Sequence, residues 1–212
     1  MREIWFVALL GLVLAAVHPA SAQAPKPGTK ADADKVLALT REDRILGKPD
    51  APITIVEYGS LSCPHCAHFD VTVLPKIKKT WIDTGKVRLV FRDFPLDDEA
   101  LRAEMIARCA PPARYYALID LLFGNQDKWV LEKDWQGALE RLVQLAGIGK
   151  KQFDSCLANK AVENQVAQSR LTAAQQLGVD ATPTFFINGK KFEGEPTVEA
   201  FDQLLSGLAG KS

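Results

Sequence analysis

Cys63-Pro64-His65-Cys66 is the segment of this chain best equipped for covalent chemistry. Two thiols in a C-x-x-C spacing can close a short disulfide and reopen it by exchange with another dithiol. The pair lies between a β-branched run, Ile53-Thr54-Ile55-Val56-Glu57-Tyr58, and a helical stripe of Phe69, Val73, Ile77 and Trp81. That order predicts Cys63 at a helix N-terminus, where unpaired N–H groups and the positive dipole end favour a thiolate. Pro64 suits the first helical turn because its missing N–H leaves no bond unmade, and His65 brings a further donor or charge. The Cys63 thiol is therefore expected well below its usual pKa of about 8.5, in a range of roughly 3.5 to 7.5. The alternatives at this point are an inert disulfide and a zinc half-site built from Cys63, Cys66, His65 and His68. No histidine follows His68 to complete such a site from a second pair.

The rest of the chain has to position this segment. Its 212 residues carry 26 Lys+Arg against 26 Asp+Glu, and 47% are hydrophobic, which excludes a disordered or low-complexity chain and provides no basic field for nucleic acid. Residues 1–22 read as a secretory signal: Arg2, an apolar stretch from Ile4 to Val17, then Ala20-Ser21-Ala22 before the cleavage point. The apolar stretch falls short of the roughly 20 residues a spanning helix needs. An exported chain meets an oxidising compartment, so its cysteine pairs can be disulfides. Residues 23–42 read as a flexible leader, its first part, from Gln23 to about Asp34, rich in Ala, Pro, Lys, Gly and Asp with no apolar periodicity.

Folded structure is expected from residue 43. The strand at Ile53–Tyr58, the helix after Cys66, kinked by Pro75 and ended by Gly85, and a second strand at Val87–Phe91 make a βαβ unit with parallel strands. From residue 97 to 177 every apolar pattern has helical spacing, as in Leu101, Met105 and Cys109. Residues 178–212 then give a strand Thr184-Phe185-Phe186-Ile187, the turn pair Asn188-Gly189, Lys190-Lys191-Phe192, and a last helix carrying Val198, Phe201, Leu204, Leu205 and Leu208. The two end pieces, 43–96 and 178–212, can share one sheet, with 97–177 as a helical insertion.

A second chemical signal is Thr182-Pro183 immediately before the apolar strand. Here the sequence resembles the thioredoxin superfamily, in which a cis-proline packs against the two-cysteine site; an ordinary trans turn is the other reading. With C-P-H-C, the helical insertion and an exported context, the chain resembles the DsbA type of periplasmic thiol-disulfide oxidase over roughly residues 43 to 208. Leu118–Trp129 and Phe153–Leu157 also look like that family's helical domain. The resemblance implies an α/β thioredoxin fold, βαβ…ββα with an inserted all-helical domain, and no cofactor or resident metal.

By the same resemblance Cys63 is the exposed nucleophile, Cys66 the buried resolving cysteine, and Thr182 with Pro183 the edge where substrate docks. Glu57 matches the family's buried acid, able to relay a proton to Cys66, with an exposed strand-end glutamate as the other reading. A basic partner known in some relatives falls at Phe91 here, and Arg92 is a substitute. Thr182 is the residue type that isomerases often carry, which keeps an isomerase or reductase in view beside the oxidase. The implied partners are exported proteins with cysteine pairs and a membrane quinone-linked protein that reoxidises the dithiol, and a monomer is expected. Four cysteines allow three pairings; Cys63–Cys66 as a redox-active bond and Cys109–Cys156 as a structural one are preferred, because Cys109 and Cys156 both fall on apolar helical faces.

Overall fold

The computed structural model describes residues 29–210. The signal segment expected at 1–22 lies outside them. Five strands form one sheet in the order β1-β3-β2-β4-β5: β1 (Ile45–Leu46), β2 (Ile53–Gly59), β3 (Val87–Asp93), β4 (Thr184–Ile187) and β5 (Lys190–Lys191). β2 and β3 run parallel with Glu57 opposite Phe91, while β4 returns antiparallel on the other side of β2. The β4–β5 turn takes positive φ at both Asn188 and Gly189, the backbone that a tight two-residue hairpin requires.

Alternation along β2 sets the layers. Ile53 and Ile55 face α2 (residues 64–82) and α8 (Val198–Ala209), where Phe69, Ile77, Phe185, Phe201 and Leu205 complete a cluster. Val56 and Tyr58 face the opposite way, toward Phe94, Ala173, Val179 and Phe186. The insertion comprises α3 (Asp98–Cys109), α4 (Tyr115–Gly124), α5 (Trp135–Leu145), α6 (Lys150–Leu157) and α7 (Lys160–Leu177). Its own core of Ile106, Leu118, Leu122, Trp129, Leu139, Val143 and Phe153 continues directly onto Leu61, Cys63, Cys66 and Phe91. Gly178 closes α7 at φ +65, a left-handed cap that returns the chain to the sheet.

Two local readings need correction. The leader expected to stay flexible through residue 42 contains a helix, α1 (Lys30–Leu37), with a Thr29/Asp32 capping box and Leu37 buried among Val56, Tyr58 and Phe186. Eight residues without an apolar stripe give little periodic signal, so packing and the cap hold this helix rather than amphipathic pattern. Pro75 does not simply kink α2. Phe69–Val73 is a π-helical turn in which Leu74 N–H bonds the carbonyl of Phe69, five residues back. Widening the turn absorbs a proline that cannot donate to the turn before it.

Candidate active site

The C-P-H-C segment follows the end of β2 and opens α2, with Cys63 as N-cap and Pro64 at the first helical position. Cys66 is fully buried, and Cys63, expected to be exposed, is only 5% exposed because the Thr182–Pro183 loop and the core of the insertion pack around it; both are free thiols. The Thr182–Pro183 bond is cis and brings the Thr182 carbonyl to 3.3 Å from Cys63 Sγ. The Thr182 hydroxyl is buried without another partner, which leaves it free to donate to a Cys63 thiolate. The expected Cys109–Cys156 bond is formed and ties the end of α3 to α6.

The two thiols are held in opposite electrostatic states. Donation from the Cys66 thiol, then from Thr182 and the backbone N–H groups of Cys66 and His65, lowers the Cys63 pKa from 9.0 to about 5 against the opposing effect of burial. The His65 contribution is its peptide N–H; the imidazole is exposed. Burial first, then that same hydrogen bond and the charges of Glu57 and Cys63, push Cys66 well above the ordinary thiol value. Such a pair has one sulfur ready to attack or leave and one kept protonated.

Glu57 is buried on the α2 face of the sheet, in line with Ile53 and Ile55, and its Oε1 has no partner. Burial, then the charges of Asp70 and Cys63, raise its pKa well above the usual carboxylate range. The exposed-glutamate reading is thereby excluded, and Phe91 does stand opposite Glu57 in the register. Arg92 is not the substitute cation. It projects to the Tyr58 face one residue on, where its guanidinium bonds Asp43, Tyr58 and the carbonyls of Val36 and Ala38, fastening α1 to the sheet.

Sequence reasoning missed three residues that hold the loop before Cys63. Glu104 Oε1 accepts from Leu61 N–H at 3.2 Å, and Gln126 Nε2 donates to the carbonyls of Leu61 and Cys63 at 2.8 and 3.0 Å. Asp97 accepts from the Ser62 hydroxyl at 2.7 Å while capping α3 through Ala100 N–H. All three belong to the insertion. Glu104 was detectable as an acid set among Ala100, Ala103 and Ala107 on a buried helical face. Gln126 lies in a short 3-10 turn with no apolar pattern to flag it. Behind Glu104 lies a buried ion pair, Arg108 to Asp93 at 2.7 Å.

A groove of about 500 Å³ is lined by His65, His68, Lys76, Thr182, Pro183 and Glu195 among others, with neither cysteine in its wall. A larger cavity of about 640 Å³ lies between the β4–β5 hairpin and α8 and includes neither cysteine. Among the described residues no group of three or more His, Cys, Asp or Glu side chains is arranged to hold a metal.

Residues 39–206 match the family described as Thioredoxin. The chain belongs to the thioredoxin family. Within it, the chain is similar to alpha-DsbA1 of Wolbachia pipientis, with a TM-score of 0.78, 33% identity, and coverage of 84% of this chain and 96% of that one. A Rickettsia bellii protein named protein-disulfide oxidoreductase is 32% identical over 73% of this chain, which spans 60% of that relative's length. A Bacillus cereus protein named disulfide bond formation protein D is 34% identical over 68% of this chain and 69% of its own. The α/β thioredoxin fold with a helical insertion, read from the C-P-H-C and Thr-Pro signals, is that of these DsbA-like relatives.

Proposed function

We propose that this DsbA-like chain is a thiol-disulfide oxidoreductase that introduces disulfides into exported proteins through Cys63 and Cys66. The observation that carries the reading is the asymmetry of the two thiols, one lowered to about 5 and one raised by burial. A stabilised Cys63 thiolate favours the reduced form and makes the disulfide an oxidant. A substrate thiolate attacks Cys63 Sγ, the Cys63–Cys66 bond breaks, and Cys66 leaves as a thiolate that takes up a proton. The substrate's second thiolate then attacks its own mixed-disulfide sulfur and expels Cys63. Glu57 serves as the proton partner of Cys66. Thr182 and Pro183, on the groove wall, receive the extended substrate segment.

The working form is a monomer, cleaved near Ala22 and released to the periplasm, where a membrane quinone-linked protein reoxidises the dithiol. Among the described residues no helix is long and apolar enough to cross a membrane. A second reading, disulfide isomerase or reductase, draws on Thr182 against the nucleophilic sulfur. Glutathione equilibration of the Cys63/Cys66 couple separates the two. A potential near about −120 mV, that of the strong oxidant DsbA, supports the oxidase, whereas one near about −270 mV, that of thioredoxin, refutes it. Loss of exchange in Cys63→Ala, with no metal in the purified protein, separates either enzyme from a metal- or peptide-binding module.

A further inference from the structure

We propose that the cavity between the β4–β5 hairpin and α8 is a second docking subsite for the substrate polypeptide, a role that rests on the dithiol exchange proposed above. It takes an apolar side chain of the substrate, with a basic residue on one side of it and an acidic residue on the other. Its volume of about 640 Å³ falls among ligand pockets, which run from roughly 300 to 1,000 Å³. Ala200, Leu204, Gly207 and Leu208 recur at helical spacing along one face of α8 and form one wall, while Phe192 forms part of the other. The neighbouring face of α8 carries Phe201 and Leu205, both fully buried against the sheet. Phe192 is fixed by stacking on Phe201, with ring centroids 4.9 Å apart, and by its N–H donating to the Phe185 carbonyl at 2.8 Å.

Gly207 leaves this cavity open at the expense of its own helix. Glycine inside a helix weakens it relative to alanine. A Cβ at this position would meet no atom within 4 Å, so crowding does not require the glycine. The helix therefore presents an apolar wall with room beside it for a guest side chain.

Two observations name the guest. Gly194 and Glu195 line both this cavity and the groove that holds Thr182 and Pro183, and α8 runs from Val198 on the groove to Leu208 on the cavity. At about 1.5 Å per residue that length of helix spans about 15 Å, the reach of roughly five extended residues, so one segment docked at Pro183 can enter both. The rim is also charged in two blocks. Lys190 and Lys191 stand at the hairpin end, and Glu193 and Glu195 on the loop toward the groove; all four are exposed, and none forms a salt bridge among the described residues. Outward from the groove the complementary segment is basic, then apolar, then acidic. An acyl chain with an anionic head would satisfy the lysines alone, whereas a polypeptide satisfies both blocks.

The test is single-turnover oxidation of reduced synthetic peptides by the oxidised full chain, in which the peptide dithiol becomes a disulfide as the Cys63–Cys66 disulfide is reduced to the dithiol. Each peptide carries two cysteines and a tail of about five residues, placed in turn before and after them. A tail with Lys, Leu and Asp in order of distance from the cysteines should react about tenfold faster than an all-Ser tail, at the low end of what burying a leucine supplies. Gly207→Leu, which fills the cavity, should erase that advantage and leave the rate with a small dithiol unchanged. Lys190→Glu with Lys191→Glu should slow the Asp-bearing peptide several-fold, and replacing the tail's Asp by Lys should restore the rate. Equal wild-type rates for the first two tails, which would leave the cavity to a small amphiphile or a second copy of this chain, overturn the inference, as does an advantage that survives Gly207→Leu. Should Gly207→Leu fail to fold, the lysine reversal at exposed positions decides, and rates it leaves unchanged overturn the inference. A wild type that oxidises the small dithiol but shows no tail preference overturns the subsite alone; one inert to the small dithiol overturns the exchange reading.

Discussion

The low Cys63 pKa makes the stability of the reduced protein depend on pH in a direction that can be worked out. The folded value is about 5, below the ordinary 9.0, so the thiolate contributes stability that is complete above pH 9 and is lost as pH falls through 5. Each unit between the folded pKa and the working pH is worth about 1.4 kcal/mol, so two units at pH 7 amount to about 2.7 kcal/mol. Allowing for partial screening and relaxation around the thiolate brings this nearer to about 2 kcal/mol. Asp70 and Glu57 titrate with the opposite sign, since their folded values are raised, so the thiolate contribution has to be isolated by difference. Wild type and Cys63→Ser, both fully reduced, should be unfolded in urea at pH 4.5 and pH 7. The wild-type advantage should grow by about 2 kcal/mol between them, a shift of roughly 1 M in the relative midpoint. Ultraviolet thiolate absorbance should titrate with a midpoint near 5. Parallel behaviour of the two proteins with pH, or a midpoint near 9, would refute the stabilised thiolate and the oxidant argument built on it.

Other expectations follow from the same contacts. Gln126→Ala leaves the Leu61 and Cys63 carbonyls without their side-chain donor and should destabilise the fold by about 1 to 3 kcal/mol while slowing exchange at Cys63; denaturation and single-turnover rates that both match wild type would show that the clamp is idle. Replacing Cys109 and Cys156 together by Ala opens a crosslink of sequence separation 47, which loop entropy values at about 4 kcal/mol. The Cys63/Cys66 pair should still react in that variant, and loss of dithiol reactivity in folded protein would contradict a purely structural bond. For Glu57 the folded pKa is raised, so the wild type loses stability as pH rises above 4.5. Glu57→Gln should therefore be the more stable protein at neutral pH, by a margin that vanishes below pH 4, and it should exchange disulfides more slowly; a margin independent of pH would place the glutamate outside the buried environment described.

Much of the architecture could be read because local signals agreed with the tertiary result. The β-branched run at Ile53–Tyr58, the Asn188-Gly189 turn and the Val198–Leu208 stripe each form the element their pattern predicts, since each buries one continuous face. The Cys63/Cys66 pair could be read from its C-x-x-C spacing, whereas the cis Thr182–Pro183 bond was expected only from the resemblance to the thioredoxin superfamily. What stayed hidden depends on long-range polar contacts. α1 has one buried side chain and is held by Arg92 from β3, a contact no local window contains. Strand alternation sends Arg92 to the Tyr58 face, away from Glu57, and that consequence became visible only with the parallel register of β2 and β3.

The insertion is accordingly more than a lid. Leu61 N–H, the Leu61 and Cys63 carbonyls and the Ser62 hydroxyl are all held by Glu104, Gln126 and Asp97, residues separated in sequence but drawn from one helical block. A loop fixed at these points keeps Cys63 at the start of α2, where the Cys66 and His65 N–H groups meet its sulfur. Preorganised donors of this kind stabilise charge without rearranging when the thiolate forms. Were the sheet and α2 alone responsible for the thiolate, removing the Gln126 amide would change stability and leave the Cys63 titration where it is. If the insertion sets the geometry, Gln126→Ala should move the Cys63 midpoint upward from about 5 as well. The direction of that one titration decides whether the redox poise of the pair belongs to the thioredoxin fold or to the helices inserted into it.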